Sequence, residues 1–382
     1  MDNPASSTIV SPMKTDIDIL IVGGGLNGTA LALALGKVGF SCMVVDRQSV
    51  AALTDAQFDG RGYALALTSQ RMLKTLGLWE DVSVNSQPIL DIKVADGRAG
   101  EGASSHFVHF DHAEIEEGPM GYMIEDRYLR RALLDRVAAS DRVIHLPEQT
   151  VIEHHAQAGG VTAHLTNGRL VRAKLLVGCD GRQSAVAQRS GIGRTKRDYA
   201  QASLVCAVEH ETPHNGCAYQ LFLPSGPLAI LPLPGNQSSI VWTETAERAA
   251  EIAALDDPGF LACLRPVFGE FLGELSLVGK RFCYPLNLTL AQSFVAERVA
   301  LVGDAAHGIH PLAGQGLNLG LRDVAALSEV LADAARRGQD IGSPTVLQAY
   351  QQWRRFDTAS LAVATDGINA LFSNDYTALR KL

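Results

Sequence analysis

The first fifty residues alternate between buried-strand and helix patterns. The run Ile17–Val22 is apolar at nearly every position, which is typical of a parallel strand covered on both faces. Residues from Leu26 to about Val38 have the length and apolar spacing of a helix, and Cys42–Val45 is again a short apolar run. A strand, a helix and a second strand in this order predict a βαβ unit.

Beyond this unit the pattern of apolar and polar positions changes twice along the chain. A run of strands with turn residues between them begins near Gln201, and long helical patterns close the chain. In the strand Tyr219–Leu223, alternation sends Leu221 to one face and Phe222 to the other. Predicted strands lie at 89–94, 107–110, 122–124, 151–155, 161–165, 170–177, 204–208, 218–223, 228–233, 239–242, 281–286 and 298–302. Predicted helices lie at 127–137, 246–254, 258–264, 317–337 and 343–372, with a further one capped by Thr68 or Ser69.

A glycine loop joins the first strand to the first helix. Gly23, Gly25 and Gly28 form G-x-G-x-x-G, and the second strand ends on Asp46, about 20 residues further on. In this context a pyrophosphate lies at the helix N-terminus and the acid binds ribose hydroxyls. The motif alone does not separate FAD from NAD. The alternative is a glycine-rich turn that binds no ligand.

A second loop with candidate ligand-binding residues follows the strand at 298–302. It begins at Gly303-Asp304, turns at Pro311 and reaches a long helix through Gly314 and Gly316. Glycines let the backbone approach a flat or anionic ligand, and the helix N-terminus presents N–H groups to it. Asp304 is the one fixed acid of the loop, so we expect it to bind a hydroxyl group. His307 and His310 have no acid at ligand spacing, so we predict that they shape the loop and that no metal binds.

Three further residues are candidates for ligand binding, and each also has a purely structural or solvent-exposed interpretation. Asp180 follows the apolar strand 170–177 and is expected to face the ligand; it can also cap the next helix, since the two roles are compatible. Arg61 lies between two glycines, where it reaches a phosphate or is a solvated loop arginine. Arg127 begins a predicted helix and faces the ligand of the first domain or is a surface arginine.

Composition narrows the class of protein. The 382 residues carry a net charge of −8, which excludes the basic footprint of a nucleic-acid-binding protein. Six scattered cysteines without C-x-x-C predict reduced thiols in a cytosol-like compartment. No apolar run has transmembrane length. Residues 1–15 are predicted to be a disordered tail.

Together these motifs resemble the group A flavoprotein aromatic hydroxylases. The resemblance rests on Gly23–Gly28, on Cys179-Asp180-Gly181, and on Gly303–His307 with Gly314–Gly316, in that order along nearly the whole chain. The segments 310–320, 226–233 and 350–354 are similar to the branch that hydroxylates polyprenylated phenols in ubiquinone biosynthesis. The resemblance implies an FAD-dependent monooxygenase that uses dioxygen, reduced flavin and a C4a-hydroperoxyflavin.

The resemblance also implies a fold. It is an α/β (α+β) fold, in which a Rossmann-like FAD-binding domain of the p-hydroxybenzoate-hydroxylase type carries an inserted antiparallel-sheet substrate domain and C-terminal helices. The implied FAD-binding domain comprises 16–85, 120–195 and 286–382, and the implied substrate domain comprises 86–119 and 196–285. Relatives usually continue past the position of Leu382, so we expect that a C-terminal element is missing.

Site roles follow from the resemblance position by position. The glycine loop would carry the FAD pyrophosphate, Asp46 the adenosine ribose and Val151 the adenine. Asp304 would bind the ribityl chain or reach the pyrophosphate through water. The flavin ring would lie between the loop 311–318 and the inserted sheet, whose residues Leu221 or Phe222 and Ile230, with Pro311, would contact substrate. The implied cofactor residues are Gly23, Gly25, Leu26, Asn27, Gly28, Asp46, Arg61, Arg127, Val151, Asp180, Gly303, Asp304, Pro311, Gly314, Gln315, Gly316, Leu317 and Asn318. No residue is identified as a catalytic base.

Partners and alternatives remain open at this point. The electron donor is NAD(P)H or a protein, and the substrates are a polyprenylated phenol and dioxygen. The expected location is cytoplasmic, with peripheral contact of the inner membrane or membership of a quinone-biosynthesis complex. The candidate membrane surface is the last helix (Leu361, Val363, Ile368, Leu371 and Phe372), and the alternative is that this helix packs in the core. Rival hypotheses are a prenyl reductase, a flavin halogenase and a non-catalytic flavin-bound subunit. Trp79, Trp242 and Trp353 are too far apart for the W-x-W-x-I-P motif of halogenases.

Overall fold

The structure is a computed structural model that describes residues 16–55, 57, 60–100, 102–374 and 376, without side-chain surroundings for 102–106 and 313. The predicted tail at 1–15 lies outside these residues. The strands are β1 (Ile17–Val22), β2 (Cys42–Val45), β3 (Gly62–Ala66), β4 (Ser86–Ile89), β5 (Asp91–Arg98), β6 (Gly102–Asp111), β7 (Gly121–Glu125), β8 (Val143–Leu146), β9 (Val151–Gln157), β10 (Gly160–Leu165), β11 (Leu170–Gly178), β12 (Arg194–His210), β13 (Cys217–Leu223), β14 (Gly226–Leu233), β15 (Gln237–Thr245), β16 (Leu275–Ala291), β17 (Val295–Ala296), β18 (Val299–Leu301) and β19 (His307–Gly308). The helices are α1 (Leu26–Lys37), α2 (Val50–Leu53), α3 (Leu67–Leu76), α4 (Trp79–Ser83), α5 (Asp126–Ala138), α6 (Ala185–Arg189), α7 (Ala246–Ala253), α8 (Asp257–Phe268), α9 (Gln315–Arg336) and α10 (Pro344–Phe372).

The Rossmann-like sheet has the order β17-β18-β11-β1-β2-β8, with the β9–β10 hairpin attached to β11. Its central strands β8, β2, β1, β11 and β18 are parallel. Helix α1 packs between this sheet and helices α5 and α9, which is why it is buried almost all round. The carboxyl ends of β1, β2 and β11 therefore meet at one edge, where ligands bind in open α/β sheets.

The inserted sheet has the order β19-β16-β12-β15-β14-β13-β5-β6 and is mostly antiparallel. One face packs against α7 and α8 around Trp242, Phe260 and Leu264. The other face meets the small sheet β3-β7-β4 around Met123 and Leu233. The predicted fold class is confirmed, with this sheet inserted between pieces of the Rossmann-like part.

The structure differs from the predicted pattern at two points. Residues 62–66, for which no strand was predicted, form β3, because they pair with β7. Helix α3 begins at Leu67 with Ala66 as its N-cap residue, so the predicted cap at Thr68 or Ser69 is wrong. The Ser69 hydroxyl instead donates to the side chain of Asn318.

The domain boundaries can be compared with the sheets. The inserted sheet extends from Arg194 to Ala291, a wider range than the expected 196–285. Residues 86–89, which were expected in the substrate domain, pair with β7 in the small sheet. No helix in the described ranges has the length and hydropathy needed to cross a membrane.

Candidate functional site

The first glycine loop lies at the carboxyl end of β1. A Cβ on Gly28 would lie 1.9 Å from the Gly23 carbonyl oxygen, so this glycine is needed for the close packing of α1 against the loop. A Cβ on Gly25 would meet nothing within 4 Å. Gly25 is the N-cap residue and has no side chain to satisfy the first N–H groups of α1. The loop is therefore closed on the protein side and open on the side where a pyrophosphate would lie.

Asp46 lies beside this loop at the end of β2. Its carboxylate accepts hydrogen bonds from the N–H groups of Gly24 (2.5 Å) and Gln48 (2.7 Å) and is mostly buried. Val151 also lies near this end, but its side chain is only 1% exposed and belongs to the core. A contact of Val151 with adenine would therefore use its backbone. The adenosine roles of both residues remain predictions.

Asp180 follows β11, the neighbour of β1. One carboxylate oxygen, Oδ2, accepts from Val186 N–H (3.0 Å) at the start of α6, as the capping alternative predicted. The other oxygen, Oδ1, is buried and has no partner in the described part of the chain. Asn27 in α1 likewise has a buried side-chain oxygen without a partner there. Buried acceptors of this kind are costly unless a ligand or water supplies a donor.

A buried cluster formed by Asp323, His307 and Arg354 holds the loop after β18 in place. Asp323 on α9 accepts from Gly303 N–H (2.9 Å), from His307 Nε2 (2.6 Å) and from Arg354 Nε (2.7 Å). The side chains of Asp323 and His307 are fully buried. Burial by itself raises the pKa of Asp323, but His307 and Arg354 outweigh it and the net shift is downward. This cluster fixes both ends of the segment that presents Asp304.

Asp304 itself points away from that cluster. Its carboxylate is 42% exposed and accepts from Arg182 Nε at 3.1 Å. Gly303 has φ +63°, and a Cβ there would lie 2.3 Å from the Asn27 amide nitrogen, so the loop approaches α1 closely. The structure thus brings the loops of Asn27, Asp180 and Asp304 together at the edge predicted from the sequence.

The two histidines shape the loop, as predicted. His307 binds Asp323, and Nδ1 of His310 accepts from Leu312 N–H (3.2 Å). Burial lowers the pKa of His310 to about 4, so its ring is neutral near pH 7. Within the described ranges no three His, Cys, Asp or Glu side chains form a cluster suited to a metal.

Helix α9 begins at the end of this loop. Gly314 is the N-cap residue with φ +62°, and a Cβ on Gly316 would meet no atom within 4 Å. The first-turn N–H groups of Gly316 and Leu317 have no intrahelical acceptor. The side chain of Asn318 makes hydrogen bonds to Ala64, Ala66, Ser69 and Gly314. The side chain of Asn318 therefore joins α9 to β3 and α3, and Gln315–Leu317 are the part of the helix that a flat ligand would meet.

Arg61 and Arg127 each pair with a carboxylate near the start of α5. Arg61 pairs with Asp126 (3.5 Å), which also accepts from Tyr63 and Arg130. Arg127 pairs with Glu125 at 2.6 Å. Burial raises the pKa of Asp126, but Arg130 and Arg61 outweigh it and the net shift is downward. Buried carboxylates thus hold both arginines in place, so neither is simply a solvated surface arginine.

The inserted sheet requires a correction of the expected substrate contacts. Leu221 and Ile230 are buried in the core between the sheet and helices α7 and α8. The expected contact of the Ile230 side chain with substrate is therefore wrong, and of the alternative Leu221 or Phe222 the Leu221 member is removed. Phe222 lies on the opposite face, where it packs against Phe372 of α10. On that face a row of half-exposed residues crosses five strands: Val94, Gln220, Ala229, Val241 and Val205. A cavity of about 350 Å³ lies nearby, between Tyr199, Ser225 and Asn369 of β12, the β13–β14 turn and α10.

These features fit FAD. The buried oxygens of Asn27 and Asp180 have no donor among the residues that the structure describes, and the open glycine positions 25 and 316 lie at two helix N-termini. Three residues of the site were not singled out from the sequence: Arg182, Asp323 and Arg354. Arg182 directly follows Asp180-Gly181, and Arg354 lies in a segment quoted for the resemblance, but the partners of these residues are distant in sequence.

Comparisons with known proteins agree with this site. A family model described as "FAD binding domain" matches residues 16–364. Ubiquinone hydroxylase UbiL of Rhodospirillum rubrum is 48% identical over 358 residues, covering 94% of this chain and 82% of that protein. The 3-demethoxyubiquinol 3-hydroxylase of Escherichia coli is 36% identical over 365 residues, covering 95% and 92%.

Solved structures share the fold. PqsL of Pseudomonas aeruginosa, in complex with 2-aminobenzoylacetate, has a TM-score of 0.79 and 23% identity, covering 94% of this chain and 97% of that one. The p-nitrophenol 4-monooxygenase PnpA of Pseudomonas putida has a TM-score of 0.78 and 21% identity, covering 97% and 92%. The solved structures show the fold, whereas the family model and the curated relatives, together with the glycine loop and the loop of Asp304, identify the family. The chain belongs to the FAD-binding-domain family, among the FAD-dependent hydroxylases of ubiquinone biosynthesis.

Proposed function

We propose that this protein hydroxylates the aromatic ring of a polyprenylated phenol in ubiquinone biosynthesis, with FAD and dioxygen. The observation that carries the proposal is the half-exposed row on the inserted sheet. Four of its five residues are apolar, and five strands at about 4.8 Å spacing make it roughly 19 Å long. A phenol ring is much shorter than this row, so an apolar tail beside the ring accounts for its length.

The residues have separate tasks in this proposal. FAD, when bound, supplies the redox chemistry with dioxygen. The N–H groups at the start of α9 stabilise negative charge next to the flavin ring. The apolar row keeps water from the reacting atoms and orients the substrate. Asp46, Asp180 and Asp304, with the glycine loop, hold the rest of the cofactor. NAD(P)H or a protein donor reduces it.

A size series at Ala229 tests the substrate face. Ala229 is the centre of the row, so Ala229→Val and Ala229→Phe should reduce hydroxylation in order of side-chain size, with the Phe variant losing at least about tenfold, or 1.4 kcal/mol. FAD content should stay unchanged. The measurement is mass spectrometry of quinone precursors in a deletion strain that carries each variant, with Ala229→Ser as the size-matched control. Normal product levels with Ala229→Phe would remove this face from the substrate site, and absence of any hydroxylated product with the unmodified protein would refute the function.

Peripheral membrane contact belongs to the same proposal, because the substrate's tail is lipid-soluble. Between Phe356 and Leu371 on α10 the exposed positions carry no charged side chain, and Phe356 and Val363 are 81% and 73% exposed. Val363, Ile368 and Leu371 are exposed as this contact requires, whereas Leu361 packs inward and Phe372 covers Phe222. The alternative within this proposal is that a quinone-biosynthesis complex, and not lipid, covers this surface.

Flotation with phospholipid vesicles tests the contact. The protein should float with the vesicles, and Phe356→Glu with Val363→Glu should abolish flotation, because two charges would enter the lipid interface. Phe107→Glu is the control, since Phe107 is a similarly exposed phenylalanine on β6. If the unmodified protein stays in the unbound fraction, direct membrane contact is wrong and a protein partner remains to be sought.

A further inference from the structure

Arg194 joins the two loops that carry Asp180 and Asp304. It is the first residue of β12, the longest strand of the inserted sheet together with β16. Its guanidinium group donates one hydrogen bond to the carbonyl oxygen of Arg182 and another to the carbonyl oxygen of Ala305. The two acceptors are distant in sequence and follow β11 and β18 respectively, so a single side chain connects both loops to the inserted sheet.

The segment 303–308 is thereby held from two sides. Asp323 on α9 binds the Gly303 N–H and His307. On the other side, Ala291 N–H donates to the Ala306 carbonyl at 2.8 Å, and β16 pairs with β19. Arg194 adds the bond to Ala305, the residue next to Asp304. The direction of the Asp304 side chain is therefore determined jointly by α9 and by the inserted sheet.

Charge supports this arrangement. Burial lowers the pKa of Arg194, and the carboxylates of Asp180 and Asp304 oppose that shift, so both acids act on the same guanidinium group. Asp304 is also paired with Arg182, whose backbone Arg194 holds. Two arginines thus offset the repulsion between two carboxylates that face one ligand site.

We propose that Arg194 is a positioning residue for FAD. It holds the Asp180 and Asp304 loops at a fixed separation, so that both present their groups to the same cofactor. The inference rests on the proposed cofactor role of Asp304. A planar guanidinium group can donate to two carbonyl oxygens in different directions at once, whereas a lysine ammonium group is a compact point charge on a flexible stem. The proposed role of Arg194 therefore requires the planar guanidinium group and not only its positive charge.

The test is the FAD affinity of the apoprotein, measured by quenching of flavin fluorescence. Arg194→Gln should raise the dissociation constant about tenfold, which corresponds to 1.4 kcal/mol, and Arg194→Lys should lie between this variant and the unmodified protein. Lys196→Gln is the control, because Lys196 is exposed two residues further along the same strand. The melting temperature of each apoprotein is measured alongside, and it should change little.

A double-mutant cycle separates positioning from general stability. If Arg194 acts through Asp304, then Arg194→Gln combined with Asp304→Asn should lose less affinity than the sum of the single losses. Asp304→Asn alone should lose more FAD affinity than Asp180→Asn. Full additivity, an affinity loss that follows the loss of melting temperature, or unchanged affinity in both Arg194 variants overturns the inference. Unchanged affinity in Asp304→Asn refutes the cofactor role of Asp304 itself. If Arg194→Gln does not fold, Arg194→Lys is compared in the same cycle.

Discussion

Gly28→Ala is expected to give a protein without FAD and with a much lower melting temperature. A Cβ at this position would lie 1.9 Å from the Gly23 carbonyl oxygen and 3.3 Å from the Cys179 Cβ atom. Neither the carbonyl, which belongs to the backbone, nor Cys179, which directly follows the adjacent strand β11, can move without displacing α1 from the Rossmann-like sheet. Overpacking of a tight core costs about 1–3 kcal/mol, and a backbone clash belongs at or above the upper end of that range.

Gly25→Ala is the matched control for this prediction. Gly25 has φ −70°, which any residue adopts, and a Cβ there would meet no atom within 4 Å. The apoprotein should therefore fold with unchanged stability, while FAD affinity falls because the added methyl group occupies the open side of the loop. Thermal unfolding of both apoproteins and flavin titration are the measurements. Equal stability of the two variants would contradict the packing role of Gly28, and unchanged FAD affinity in Gly25→Ala would contradict the pyrophosphate site.

Asp323→Asn should strongly destabilise the protein, because Asp323 on α9 supports the loop after β18. The carboxylate is fully buried and accepts from Gly303, His307 and Arg354. An amide offers one oxygen to these three donors and turns its own donor toward one of them. Removing one partner of a buried ion pair costs about 3–5 kcal/mol. Because Arg354 keeps a second carboxylate partner, Asp357 at 2.5 Å, we expect a loss near the lower end of that range. The measurement is the free energy of unfolding in urea, compared with the unmodified protein.

Asp333→Asn on the same helix is the control. The Asp333 side chain is 46% exposed and pairs with Arg336, so the change should cost less than about 1 kcal/mol. The pKa of Asp323 is lowered in the folded state, so its contribution is present above the ordinary carboxyl pKa, near 4, and is lost as the pH falls through the lowered value. The stability difference between the two variants should therefore shrink in acid. A loss below 1 kcal/mol for Asp323→Asn at pH 7 would show that the cluster is not a support of the loop.

The sequence by itself determined the cofactor end of the molecule. Strand periodicity and the spacing of Gly23, Gly25, Gly28 and Asp46 are local features, and parallel strands place their carboxyl ends at one edge. The predicted β1, α1, β2 and the loops after β11 and β18 are confirmed for this reason. Alternation along Tyr219–Leu223 also assigned Leu221 and Phe222 correctly to opposite faces.

Only the tertiary structure decided which of those faces is available to a substrate. Both faces of β14 are apolar, and which one packs against α7 and α8 depends on helices that follow later in the chain. That packing buries Leu221 and Ile230 and leaves Gln220 and Ala229 half exposed. The sequence could not predict the partners of Asp304, Arg194 and Asp323 either, because each side chain joins segments that are distant in sequence. Periodicity reports the order of polar and apolar positions along one element, whereas these contacts depend on how separate elements pack together.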